Sequence, residues 1–484
     1  MAAMRFYNTL SRALEPFVPR GATVGIYACG PTVYRPPHIG NFRTFVFNDL
    51  LHRYLEWRGH DVMFVMNLTD VEDKIILEAA AQGASIDAVT APMIGAFFAD
   101  LRTLAVRPAD VNPRATEHIE QMVALIGALI ERGHAYAAAD GSVYFDISSF
   151  PAYGRLARIE AQTVRAGAGL AARAGGIDAD EYDKADARDF ALWKGAKDVD
   201  RAVGAAWDTP WGRGRPGWHI ECSAMSMAAL GTTFDIHTGG EDLIFPHHED
   251  EIAQSEAATG EPFVRYWLHV KHLLVNGEKM SKSKGNDFTI DQLLERGHTA
   301  SAIRYLLISA QYRKELNFSF DGLETARTSI QRLLAFEQRL ATAATAADAP
   351  HSRLHDNAAR ALKEFEAALD DDLNTPNALA ALFNFVRASN AELDRDVPVA
   401  ADAITAARSA LARMDDVLGI LELAHREQAD MDDDMAARVD TLLVQRQDAR
   451  ARRDFAASDR IRDELLEMGI AVEDTPQGQR WKKL

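Results

Sequence analysis

Residues 23–68 constrain the fold more than any other stretch of the chain. Thr23–Ala28 (TVGIYA) is a short β-rich run that ends in the turn cluster Cys29-Gly30-Pro31-Thr32. From Asn41 to Gly59 apolar residues recur at helical spacing, at Phe45, Leu50, Leu51 and Leu55. Val62–Leu68 (VMFVMNL) is then nearly continuous in apolar residues, and a second helical pattern covers Glu72–Ala81. Apolar strand, turn, helix, apolar strand predicts a βαβ unit in a parallel sheet buried on both faces. Strand-like runs return at Thr233–Ile236 and Leu268–Val275. Between the βαβ pattern and these late runs, roughly residues 110–215 mix helical stretches, the strand-like SVYFDI and a Gly/Ala-rich loop at Ala166–Gly176, so they read as an insertion splitting one α/β domain.

Beyond Asn317 the pattern is helical, with Ala341–Pro350 reading as a loop because it lacks an apolar period. The C-terminal residues from Met431 read as a separate unit: helices over Met431–Arg453 and Ala456–Met468, then a short strand, Ile470–Val472. Charge is divided unevenly there. Residues 361–440 hold 7 basic and 18 acidic side chains, whereas residues 441–484 hold 9 and 8, with Arg446, Arg450, Arg452 and Arg453 close together. Such a run is most often a solvated helix face, but on a terminal unit of an acidic chain it also suits a polyanion. The whole chain carries a formal charge of −18, which excludes indiscriminate coating of nucleic acid. Two cysteines in 484 residues exclude a disulfide-built scaffold. No apolar run reaches the roughly 18–20 residues of a membrane span, and the N-terminus lacks the core of a signal peptide. A cytoplasmic multidomain protein without membrane contact is therefore expected.

Three groups of residues can carry chemistry. His38-Ile39-Gly40-Asn41 opens the first helix, where free backbone N–H groups suit a phosphate. Gly40 allows close approach to the backbone, and His38 and Asn41 offer side-chain donors. On four letters alone, a helix cap with an incidental histidine accounts for them as well. Lys279-Met280-Ser281-Lys282-Ser283-Lys284-Gly285-Asn286 follows the last apolar strand as a cationic arm able to offset charge on a departing pyrophosphate, although alone it also fits a solvated loop. Both segments fall at the C-terminal ends of expected parallel strands, where doubly wound folds bind ligands. The third group is dispersed: Cys29, Cys222, His247 and Glu251, the last two four apart and so on one helix face. They form a chemically reasonable zinc set, but the distance between the cysteines is too long to be a motif, and two inert buried cysteines remain an alternative.

Longer matches decide between these readings. CGPTVY at 29–34, HIGN at 38–41, LTDVEDKI at 68–75, DFALWK at 189–194 and GRPGWHIECSAM at 214–225 resemble the bacterial cysteinyl-tRNA synthetases, a family of class I aminoacyl-tRNA synthetases. So do FDIHTGGEDLIFPHHEDEIAQSEA at 234–257, KMSKSKGN at 279–286, LDDDLNTPNALAALF at 369–383 and EDTPQGQRW at 473–481. The resemblance implies an α/β fold: a Rossmann-like parallel sheet split by an insertion, then a helical bundle and a small α/β C-terminal domain. Its divisions would be a catalytic half over 1–110, a connective insertion over 111–215, the second catalytic half over 216–265 and a KMSKS and stem-contact region over 266–320. A helical bundle over 321–430 and an anticodon-binding domain over 431–484 would follow.

The resemblance further implies activation of L-cysteine with Mg-ATP to cysteinyl-adenylate and transfer to tRNA(Cys) by a monomer. Zn2+ would sit on Cys29, Cys222, His247 and Glu251 and take the substrate thiolate as a further ligand, which separates cysteine from serine without an editing domain. His38, Gly40 and Asn41 match the first ATP signature, and Lys279 and Lys282 the second; His38, Asn41, Lys279 and Lys282 would be the catalytic groups. Position 41 is Asn where the signature's name has His, and an amide still donates hydrogen bonds. Gly30, Thr69, Trp218 and Asp242 match the cysteine contacts, with Asp242 facing the substrate ammonium and Trp218 walling the pocket. Arg450, Asp459 and Asp474 match the anticodon contacts. Rival readings are a mycothiol-type cysteine ligase, which shares the core but lacks the anticodon unit, a non-catalytic tRNA-binding paralogue, and a zinc that is purely structural.

Overall fold

The computed structural model describes residues 3–159, 189–280, 285–346, 349, 352–395, 397–452, 454–468, 470–475 and 478–483. The Ala166–Gly176 loop lies outside them. The chain forms two compact units, Met1–Ile420 and Leu421–Leu484.

The first unit is organised by a four-stranded parallel sheet. Its strands are β1 (Thr23–Ala28), β2 (Asp61–Met66), β3 (Phe234–Gly240) and β4 (Val264–Val270), in spatial order β4-β3-β1-β2. Val24 pairs with Val62, and Ile26 lies between Phe64 and Ile236. The sheet is buried because helices cover it, and Val24, Ile26, Ile236 and Leu268 are fully enclosed. Each such side chain contributes about 1.5–3 kcal/mol of burial, which is why the apolar runs are unbroken there. Helix α1 (Ile39–Trp57) crosses from β1 to β2. Fourteen of its nineteen residues are buried, because the sheet lies on one side and helices Ala300–Ile308 and Ala401–Leu418 lie on another.

Helices α2 (Trp218–Leu230) and α3 (His247–Thr259) flank β3 in sequence and pack on each other. Ahead of them, Ala135–Ala137, Val143–Phe145, Phe190–Gly195, Trp207–Thr209 and Gly212–Pro216 form a five-stranded antiparallel sheet. The apolar run expected as one strand, Leu268–Val275, is broken in the structure. β4 ends at Val270, and Leu273–Val275 belongs to another sheet, with Glu278–Lys279 antiparallel and Leu316–Phe318 parallel to it. The polar pair Lys271-His272 marks the break. After it the chain is helical, from Phe320–Thr342 to Ala401–Leu418. No single helix among the described residues is long and apolar enough to cross a membrane.

The second unit has its own small core of Val439, Leu442, Leu465 and Ile470. The helix expected over Met431–Arg453 is longer at its start, running Leu421–Ala451. A second helix, Phe455–Glu467, is capped by Asp454, whose side chain accepts from the Ala457 N–H. The short strand expected at Ile470–Val472 is one arm of a hairpin, Ile470–Thr475 with Gly478–Lys483. Its second arm was hidden by Arg480, Lys482 and Lys483, which mask an alternating pattern.

Candidate metal and nucleotide site

The turn after β1 places Cys29 at the carboxyl end of the sheet, where the Cys29 N–H donates to the Thr238 carbonyl of β3 at 3.2 Å. α2 brings Cys222 to it, with the two sulfurs 3.9 Å apart. α3 brings His247 and Glu251, whose Nε2 and Oε1 lie 3.1 Å apart, as expected for one face of a helix. Cys29, Cys222, His247 and Glu251 each offer one donor atom, and these lie within 4.8 Å of one another with every residue buried. The geometry thus unites four residues drawn from three elements, the cysteines 193 positions apart.

More imidazoles surround the cluster than the sequence reading named. His248 Nε2 is 3.3 Å from the Cys29 sulfur, and His237 Nε2 donates to Glu251 Oε2 at 2.9 Å. Cys29, His237, His248 and Glu251 form a second convergent set. His248 shares a 2.7 Å hydrogen bond with His269, and His269 one of 2.8 Å with Thr9. His247 shares a 2.9 Å bond with His219, whose Nε2 faces Asp250 at 3.3 Å; Asp250 accepts from Tyr153 at 2.6 Å. Burial pushes the His247 pKa down to about 3 and those of His248 and His269 well down. Burial, then Cys222, pushes the Cys29 thiol well up. Neutral imidazoles offer lone pairs but bring no positive charge to the cluster, and a thiol this deeply buried gives up its proton only beside a cation. A divalent cation would meet both conditions, and two sulfurs, an imidazole and a carboxylate suit zinc. The close packing agrees: a Cβ on Gly239 would stand 2.7 Å from the His248 ring.

The nucleotide signature lies at the start of α1. His38 is the N-cap: its Nδ1 accepts from the Asn41 N–H at 3.3 Å, while Asn41 Oδ1 accepts from the His38 N–H at 3.1 Å. With that oxygen engaged in the cap, the Asn41 amide presents its N–H donors elsewhere. Burial, then Arg35, lowers the His38 pKa. Gly40 faces the second signature: a Cβ there would fall against Met280 Cε, the flexible end of that side chain, which would have to shift. The Ile39 N–H donates to the Phe288 carbonyl at 2.8 Å, so the chain on either side of residues 281–284 meets α1. Lys279 ends the Glu278–Lys279 strand; its side chain and Lys282 lie outside the described residues.

The expected cysteine contacts ring the same place. Gly30 donates to Asn67 Oδ1 at 2.9 Å, and its missing Cβ leaves room for the Asn67 carbonyl. Thr69 is buried and accepts from Asn67 at 3.2 Å. The Trp218 ring centroid is 4.3 Å from that of His247. Asp242 is exposed, and its charge is a minor influence on both Cys29 and His38, within electrostatic reach of the thiol cluster and of the nucleotide signature. In the second unit Arg450 and Asp459 are exposed on the two helices, and Asp474 lies on the hairpin opposite Gln479, its side chain outside the described residues.

Comparison with known proteins now separates the possibilities. Residues 17–328 match the model of the tRNA synthetases class I (C) catalytic domain, residues 364–422 that of the DALR domain, and residues 432–481 that of the cysteinyl-tRNA ligase anticodon binding domain. The chain belongs to the cysteinyl-tRNA synthetase family. A cysteine--tRNA ligase of Solibacter usitatus is 48% identical over 483 residues, covering 99% of this chain and 100% of that one. That of Chlamydia muridarum is 46% identical over 485 residues, covering 99% of both. Among solved structures, a Mycobacterium tuberculosis methionyl-tRNA synthetase in complex with methionyl-adenylate superposes with TM-score 0.58 over 83% of this chain and 90% of that one. At 16% identity that likeness concerns the fold, and it bears out the class I architecture expected from the sequence. In this synthetase family member the four residues assembled around Cys29 and the capped start of α1 stand at the same end of one sheet.

Proposed function

We propose that the protein joins L-cysteine to tRNA(Cys) in two steps, forming cysteinyl-adenylate from ATP and cysteine with release of diphosphate, then transferring the cysteinyl group to the tRNA. The observation that carries this reading is the buried convergence of Cys29, Cys222, His247 and Glu251 at the carboxyl end of the sheet, the end at which α1 opens with the His38 cap. A substrate with a thiol at one end and a carboxylate at the other spans those two places, with its ammonium group beside Asp242. Zinc on Cys29, Cys222, His247 and Glu251 would supply a soft Lewis acid that favours a thiolate over a hydroxyl. No general base is required, because the cysteine carboxylate arrives ionised. His38, Asn41 and the first N–H groups of α1, with Lys279 and Lys282, would align the ATP phosphates and offset the charge that develops on them. Gly40 keeps that approach open. Thr69 and Gly30 would line the cysteine pocket, and Trp218 would wall it beside His247.

Arg450, Asp459 and Asp474 would read the anticodon, with carboxylates accepting from base N–H edges and arginine donating or stacking. A ligase that acylates an amino sugar has no use for such a unit. We infer a cytoplasmic monomer with Mg-ATP as co-substrate.

The test is cysteine-dependent ATP–pyrophosphate exchange, with serine in parallel and a chelator-treated sample beside it, followed by charging of tRNA. Exchange with cysteine alone, lost on chelation while the far-UV spectrum persists, is the expected outcome. Unfolding on chelation would make the zinc structural. His38→Ala and Lys282→Ala should each lower exchange on the order of 10²–10³-fold. Wild-type rates in both variants would overturn the assignment.

A further inference from the structure

Arg43 is the fifth residue of α1, two residues beyond the HIGN signature, and it is buried with 2 % of its surface exposed. Its guanidinium makes its hydrogen bonds to backbone carbonyls. Nη1 donates to Lys271 O and His272 O, both at 2.7 Å, and Nη2 donates to Gln311 O at 3.4 Å and to Lys314 O. The acceptors belong to two turns. One, Lys271-His272, separates β4 from Leu273–Val275; the other precedes Leu316–Phe318. Those two strands pair with each other, and the first pairs with Glu278–Lys279. Both turns that feed the sheet carrying Lys279 are thus held by one side chain of the helix carrying His38.

We propose that Arg43 is a positioning residue that fixes the second ATP signature relative to the first, by clamping the turns that launch the Lys279-bearing sheet onto α1. The idea rests on the reading of the two signatures given above. A planar fork with five N–H groups can serve several carbonyls at once, whereas a lysine ammonium keeps the charge but lacks the fork. Misplacing reacting groups by about 1 Å can cost on the order of 10²-fold in rate. None of the four carbonyls belongs to β1, α2, β3, α3 or the turns that follow β1, β2 and β3, which carry the cysteine contacts. The Lys271-His272 turn meets that region through Glu241, beside Asp242: Glu241 accepts from the His272 N–H at 3.2 Å.

The experiment is ATP–pyrophosphate exchange on full-length, zinc-loaded Arg43→Lys and Arg43→Met, with His38→Ala in parallel and thermal unfolding measured for each. The expected result is a fall in kcat of about 10²-fold in both Arg43 variants, with KM for cysteine within about 2-fold of wild type. Recovery of kcat in Arg43→Lys would show that a buried charge suffices and would overturn the proposal. So would a rise in KM for cysteine matching the fall in kcat, or failure of both variants to fold, which would assign Arg43 to stability alone. If His38→Ala slows exchange while Arg43→Lys does not, the positioning role fails by itself. If His38→Ala exchanges at the wild-type rate, the reading of the signatures fails first.

Discussion

The buried ionisable groups of the first unit include two clusters that are each centred on a fully enclosed carboxylate. Asp49, on α1, is fully enclosed and accepts from Arg304 at 2.5 Å, from Arg53 at 2.9 Å and from the Arg107 N–H at 2.9 Å. The two guanidiniums spend further donors on the carbonyls of Leu104, Ala105, Asp416 and Leu418. Glu251, on α3, is equally enclosed, but its neighbours are His237, His247, His248 and the Cys29 sulfur. The first cluster carries its own positive charge. The second is rich in lone pairs and poor in cations, because burial keeps His247 and His248 neutral. A self-balanced cluster holds elements together; an electron-rich cluster asks for an ion from outside.

The difference can be broken from either side. Arg304→Ala would leave Asp49 short of one buried partner, and that should cost about 3–5 kcal/mol of unfolding free energy. Zinc content of the surviving folded protein should not change. Urea unfolding gives the first quantity and metal analysis the second; a loss below about 1 kcal/mol would show that Arg53 alone suffices. Glu251→Gln should do the reverse. It keeps the shape but removes a charged donor, so zinc affinity should fall by more than the about 10–100-fold that an outer partner costs, while the metal-free fold persists. Equal zinc retention in wild type and variant would remove Glu251 from the donor set. Asp250→Asn addresses the outer layer, where Asp250 faces His219 and His219 bonds His247. It should lower zinc affinity by about 10–100-fold, read by competition with a chromophoric chelator, with Tyr153→Phe as a milder companion.

The comparison also explains what the sequence could disclose. β1, α1 and β2 were legible because strands buried on both faces are written as unbroken apolar runs. His247 and Glu251 were legible as a helical pair. Cys29 and Cys222 were joined only through the family resemblance, since fold topology, not spacing, brings positions 193 apart together. His248 went unnoticed because its neighbour His247 already had a place on the helix face, and adjacent helical residues point about 100° apart. His237 sits in a strand where apolar residues set the pattern. Asp49, Arg53 and Arg304 carry no local signature of burial at all. A charge inside a helical pattern reads as solvent-facing, and the partner that reverses this for Asp49 lies 255 residues away. Arg43 was missed for the same reason.

A third carboxylate tests whether charge balance is the right distinction. Asp100, on helix Ile86–Thr103, is 7 % exposed and forms no ion pair among the described residues. Burial, and then the charge of Asp291, pushes its carboxyl up to about 7 from 3.8. Because the folded state binds this proton more tightly than the unfolded chain, its contribution to stability is present in full below about pH 4. It declines as pH rises from about 4 and is lost once the pH passes about 7. Asn in its place cannot titrate. Asp100→Asn should therefore gain on wild type as pH rises, its stability relative to wild type being greater at pH 8 than at pH 5 by on the order of 1–2 kcal/mol. Comparing variant with wild type by urea unfolding at each pH cancels the titration of the histidines. An identical difference at both pH values would mean that Asp100 is ionised throughout, and that solvent balances it as effectively as Arg53 and Arg304 balance Asp49.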